Sequence, residues 1–186
     1  MNHKPVITSS LMVVALCAVF ITSYAQNDDE DALLLKSREV TASFATEMQT
    51  ALQTAMAAGG PVAAIDACKV TAPEIAARLS SDYGADVGRT SLRVRNPANA
   101  ADDWESEILA AFEAPGASSE HFEQTGNNGA RYMRAIPTGA LCLNCHGTVL
   151  PPDIKAKLDA AYPDDQARGY YLEDIRGAFT IVWPES

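Results

Sequence analysis

Cys142-Leu143-Asn144-Cys145-His146 sets two thiols three positions apart and an imidazole directly after them. This is the C-x-x-C-H pattern of c-type haem attachment. Each vinyl group of a haem takes one cysteine sulfur as a thioether, and two intervening residues let a tight turn present both sulfurs. The next residue then falls where it can bind the iron as the proximal imidazole. With 4 Cys and 3 His in 186 residues, the pattern arises by chance roughly 0.001 times.

Other uses of the pair fit less well. A thioredoxin-type C-x-x-C opens a helix after a strand. Here Pro137, Gly139, Gly147, Pro151 and Pro152 surround it, which places it in a loop. A structural zinc site needs four ligands, and only Cys68 and His121 remain, both isolated. A disulfide between Cys142 and Cys145 would close a small, strained ring.

One axial position would thus belong to His146, and the other is open or filled by His, Met or Cys. The candidates are Cys68, His121, Met48, Met56 and Met133. Cys68 shares an apolar helical face with Val62 and Ile65, so a buried structural cysteine is the competing reading. Arg89, Arg93 and Arg95 alternate along residues 88–95, as on one face of a strand. Their guanidinium forks suit the carboxylates of a haem, and a solvated face with surface ion pairs is the alternative.

The N-terminus reads as a secretory leader. Lys4 supplies positive charge, residues 11–21 are apolar but shorter than the ~20 residues of a membrane span, and Ser23-Tyr24-Ala25 suits cleavage after Ala25. That leaves residues 26–186 as one domain, with no span after cleavage, in a periplasm where haem is attached. The net charge of −10 argues against nucleic-acid binding and permits docking to a basic redox partner.

Several elements must position these residues. Apolar spacing predicts a helix over 32–58, ended by Gly59-Gly60-Pro61. A second helix is expected over 61–70, and a third from Pro73 to Leu79 with Thr71 as its cap. A strand follows over 88–95, then a helix capped by Asp102 or Asp103. Strands over 119–124 and 130–136 flank Gly126-Asn127-Asn128-Gly129, a hairpin loop. A helix over 153–161 and a last strand over 177–183 complete an α+β chain.

Further runs carry a resemblance. Arg89-Thr90-Ser91-Leu92-Arg93-Val94-Arg95-Asn96-Pro97-Ala98-Asn99, then Trp104-Glu105, the C-x-x-C-H, Gly169-Tyr170 and Arg176-Gly177-Ala178 resemble a family of PAS-like c-type haem proteins. Some members stand alone and others are the periplasmic sensor part of histidine kinases. The resemblance implies a PAS-like antiparallel sheet with long N-terminal helices and iron held by His and Cys. The family's ligating Cys precedes an Ala-Pro on an early helix, which is the place of Cys68 before Ala72-Pro73.

The resulting expectation is one covalent haem c, tethered at Cys142 and Cys145 and ligated by His146 and Cys68, in a periplasmic redox or small-gas sensor. A redox partner or sensor kinase would read it, because the chain as given carries no kinase. A plain electron-transfer cytochrome is the alternative and a peroxidase-like enzyme the third; no enzymatic activity is expected.

Overall fold

The computed structural model describes residues 11–126 and 129–185, with side chains from Glu30 onward. The leader expected over residues 1–25, its cut after Ala25, and the loop residues Asn127 and Asn128 lie outside the described residues or their side chains.

In chain order the elements are α1 (Leu11–Tyr83), β1 (Asp86–Thr90), a 3-10 turn (Pro97–Asn99), α2 (Asp103–Phe112), β2 (Glu120–Thr125), β3 (Gly129–Pro137), α3 (Leu143–His146), α4 (Pro152–Ala161) and β4 (Ile175–Trp183). The strands form an antiparallel sheet in the order β1-β4-β3-β2. The α+β expectation therefore holds. Among the described residues no helix is long and apolar enough to cross a membrane.

Helix α1 is a hairpin. Its backbone leaves helical geometry at Gly59 and Gly60, and Gly60 has φ 68° and ψ −163°. A side chain is strained there, so glycine makes the reversal cheap. Beyond it the two arms run antiparallel. Arg78 pairs with Glu47, and the Tyr83 hydroxyl donates to Glu39 at 3.1 Å. Gly59-Gly60-Pro61 thus does end the first helix. The second and third helices are one, because the chain stays helical through Pro73. Thr71 lies inside that arm and is not a cap. Pro73 removes one backbone donor, but it is exposed, and Ala72 and Ile75 on the opposite side bury against the core.

Both arms cover one face of the sheet. Val40 and Phe44 of the first arm and Ile75 and Leu79 of the second pack on Val87, Tyr132, Ile181 and Trp183. The other face takes α2, where Leu109 and Phe112 meet Met133, Ala135 and Ala178. Tyr132 and Met133 serve opposite faces, as strand alternation requires. Asp102, not Asp103, caps α2, and it forms a capping box with Glu105. A third cluster joins Ile65 of the second arm to Ile154 and Leu158 of α4, with Val62, Cys145 and Tyr162 against it. It is this cluster that docks the haem-type motif beside Cys68's arm.

Strand β1 stops at Thr90, five residues short of the expected end. Ser91 turns away to pair its amide with the Asn99 carbonyl at 3.0 Å, and its hydroxyl donates to the Arg176 carbonyl at 2.9 Å. Arg93 and Arg95 consequently do not share a strand face with Arg89.

Candidate functional site

Cys142, Cys145 and His146 lie on a single helical turn, not an irregular loop. The amides of Cys145 and His146 both donate to the Cys142 carbonyl, at 3.1 and 2.9 Å. The turn ends at buried Gly147, where a Cβ would come within 2.6 Å of the Leu143 carbonyl oxygen; no larger residue fits after His146. The 169–170 segment then closes over the turn: Gly169 and Tyr170 donate to the carbonyls of Gly147 and His146, each at 3.0 Å. Cys68, Cys142 and Cys145 are all free thiols, so the strained Cys142–Cys145 ring is not formed.

The His146 ring is set in one tautomer. Its Nδ1 donates to the Ala167 carbonyl at 2.7 Å; a carbonyl only accepts, so the proton is on Nδ1 and Nε2 keeps its lone pair. Burial, and then the fields of Arg95 and Arg176, push its pKa down to about 3. A neutral imidazole with an unprotonated Nε2, its other nitrogen tied to a carbonyl, is the form that ligates metals. Tyr170 packs on it edge-on at 6.3 Å between ring centroids.

Arg95 holds this arrangement from beneath. Its Nη2 donates to the carbonyls of Cys145 at 2.7 Å and Ala167 at 3.2 Å, and Nη1 lies 3.5 Å from His146 Nε2. Its Nε donates to Asp165 at 3.1 Å. The Asp165 side chain is fully buried and also accepts from Arg168 Nε at 2.7 Å and the Ala167 amide at 2.9 Å. Burial alone would raise the Asp165 pKa; the hydrogen bonds from Arg95 and Arg168 outweigh it and hold the carboxyl below its ordinary range.

Cys68 reaches the same cluster from the second arm of α1. Burial pushes its thiol pKa up, against the pull of Arg89, Arg176 and Arg95, and Cys142 lies near enough to add its own field. Cys145 in turn feels Cys68. The two unlinked parts of the expected site, residue 68 and residues 142–146, are therefore brought together. Three of the competing ligands lie elsewhere. Met133 is buried on the α2 face of the sheet. His121 stands on the edge strand β2 beside Trp104, 5.6 Å between rings, on that same side. Met48 packs with the α1-face core, and Met56 is half-buried near the reversal.

The three arginines have different fates. Arg93 stacks over Tyr170 at 4.3 Å and donates to the Gln166 carbonyl at 3.3 Å. Arg95 is occupied as described. Arg89 has no hydrogen bond or ion pair among the described residues and lies 5.8 Å over the Phe44 ring. Sequence reasoning gave no part to Asp165, Ala167, Arg168 or Tyr162. The charges of Asp165 and Arg168 just ahead of Gly169-Tyr170 were visible, but no periodicity points from them to His146. Arg176 was visible only as part of a matching run.

A helical hairpin on a four-stranded antiparallel sheet, with the C-x-x-C-H turn docked against the second arm, places this chain in a known class: it belongs to the Tll0287-like family, whose model matches residues 22–184. Its fold is similar to that in the crystal structure of the cyanobacterial heme-protein Tll0287, with a TM-score of 0.68 and 22% identity over 83% of this chain and 96% of that one. No curated protein matches the chain.

Proposed function

We propose that this chain is an exported haem-binding protein carrying one haem c, and that it works as a redox or small-gas sensor. The observation that carries this reading is the convergence of Cys68, Cys142, Cys145 and a neutral His146 with its Nδ1 tied to Ala167. The donor set suits the group: two thiols at C-x-x-C spacing, an unprotonated imidazole nitrogen that faces only the Arg95 Nη1 at 3.5 Å, and a third thiol from another element. The buried Arg176 Nε lacks a partner among the described residues, as expected of a cation meant for an acidic ligand. The name of the family's crystallised haem protein supports the same reading.

When bound, the haem would supply an iron whose charge changes by one unit and which prefers an anionic ligand in its higher state. Cys142 and Cys145 would hold the group covalently, and His146 would donate through Nε2. Cys68 would donate charge as a thiolate and favour the oxidised state. Cys68 sits on the arm that leads directly into β1, so any change in what its sulfur is bonded to pulls on that arm. A separate partner, such as a sensor kinase, would read the movement.

A fixed electron carrier is the second reading. Leu141, Val149, Tyr171 and Leu172 are exposed on the two segments that meet at the motif, an apolar rim suited to docking a redox partner. Spectroscopy separates the two. The denatured protein should keep its colour and exceed the polypeptide mass by one haem. Cys142→Ala with Cys145→Ala should make the haem extractable into acid solvent. Cys68→Ser should erase thiolate features from the oxidised spectrum, raise the potential and speed carbon monoxide binding to the reduced form. Ligation unchanged on reduction of the wild type would favour the carrier.

A further inference from the structure

Four guanidinium groups surround the Cys68–His146 cluster, and two of them are committed. Arg95 is spent on Asp165 and two carbonyls, and Arg93 on Gln166 and the Tyr170 ring. Arg89 and Arg176 are not committed. Neither makes a side-chain hydrogen bond or ion pair among the described residues, and Arg176 Nε is buried without any partner. They stand on adjacent strands: Arg89 pairs in register with Phe179, three residues beyond Arg176 on β4. Each acts on Cys68, and Arg176 further depresses the proton affinity of Arg89.

Two cations brought together in a partly dry space repel, and a buried guanidinium nitrogen without an acceptor costs stability. The nearby acids do not neutralise them. Asp165 is held by Arg95 and Arg168. Glu105 accepts from Thr90 and Thr180 at 2.8 and 2.7 Å. Glu113, Glu173 and Asp174 line an outer groove of about 600 Å³ together with Arg176, yet none lies within ion-pair distance of it. The arrangement asks for an anion with more than one acceptor group, reaching a site beside Cys68.

We propose that Arg89 and Arg176 are the carboxylate-binding pair of this site, each taking one propionate of the haem; this rests on the haem reading above. Arg95, which the sequence put in the same group, is set aside because its donors are taken by Asp165 and the carbonyls of Cys145 and Ala167, and Arg93 because it is exposed and its guanidinium stacks on the Tyr170 ring. A planar fork engages a carboxylate through two parallel hydrogen bonds, which lysine cannot reproduce.

The test uses the haem-loaded protein and the variants Arg89→Gln, Arg176→Gln, Arg89→Lys and Arg176→Lys. Covalent attachment through Cys142 and Cys145 keeps the haem in place in all four. Resonance Raman propionate-bending bands should shift in each Gln variant, and the midpoint potential should fall because a cation near the iron is lost. The Lys variants should restore most of the potential but not the bands. They also retain the charge, so they carry the test if a Gln variant fails to fold. Unchanged propionate bands in all the variants that fold overturn the proposal. So does a pattern in which only the thiolate features change, since the arginines would then serve Cys68. Wild-type protein purified without covalent haem overturns the haem reading itself, and that result needs no variant to detect.

Discussion

Asp165 shows most clearly how a distant charge can order a ligand. Its buried carboxylate fixes Arg95, and Arg95 fixes the carbonyls that orient the motif and His146. The folded state holds the Asp165 pKa below that of the unfolded chain, ~3.9. Its stabilisation is therefore complete above that value and is lost as pH falls through the lower, folded one. Asp165→Asn leaves Arg95 partly buried without its anion and should cost about 3 kcal/mol at neutral pH. Urea unfolding from pH 7 to pH 3 should show the variant losing less stability on acidification than the wild type. Equal slopes would mean that Asp165 does not carry the effect. The candidate ligands were legible because Cys and His are rare and their spacing is chemical. Asp165 was not, because nothing local distinguishes it from any surface acid.

At the scale of elements, the hairpin of α1 turns on Gly60. At φ 68° and ψ −163°, a region occupied essentially by glycine alone, an alanine costs roughly 1–3 kcal/mol, so Gly60→Ala should lower Tm by roughly 2–12 °C. Calorimetry checks this, and an unchanged Tm would mean that the reversal relaxes without glycine. The reversal itself was legible from Gly59-Gly60-Pro61. The continuity of the second arm was not, because a proline on the solvent side of a helix reads the same as a helix stop. The overlong β1 has a similar cause. Arg89, Arg93 and Arg95 alternate as in a strand, but Ser91 finds better partners in Asn99 and Arg176, and the alternation runs on into a loop.

At the scale of the molecule, export is the condition for covalent haem attachment under the reading proposed here. N-terminal sequencing of the purified protein should start at or near Gln26, and an intact Met1 in a membrane fraction would instead favour a retained anchor. The chain's charge of −10 gives a second prediction. Association with a basic redox partner should slow as salt rises, since screening acts on charges beyond about 8 Å at physiological ionic strength. Stopped-flow rates independent of salt would exclude electrostatic steering.

The sequence alone determined the α+β class and supplied the haem-attachment reading of residues 142–146, because both rest on local signals: rare residues at fixed spacing, and apolar periods of 3.6 and 2. The residue types by themselves left the partner of His146 open among five residues, and only the family resemblance pointed to Cys68. Only the tertiary structure brought Cys68 to the motif, by folding α1 back at Gly60 and docking α4 on its second arm through Ile65, Ile154 and Leu158. Only the tertiary structure separated Arg95, held by Asp165 and two carbonyls, from Arg89 and Arg176, which make no side-chain hydrogen bond or ion pair among the described residues. Which acceptors a long side chain meets depends on what other segments deliver to it, and no local pattern records that.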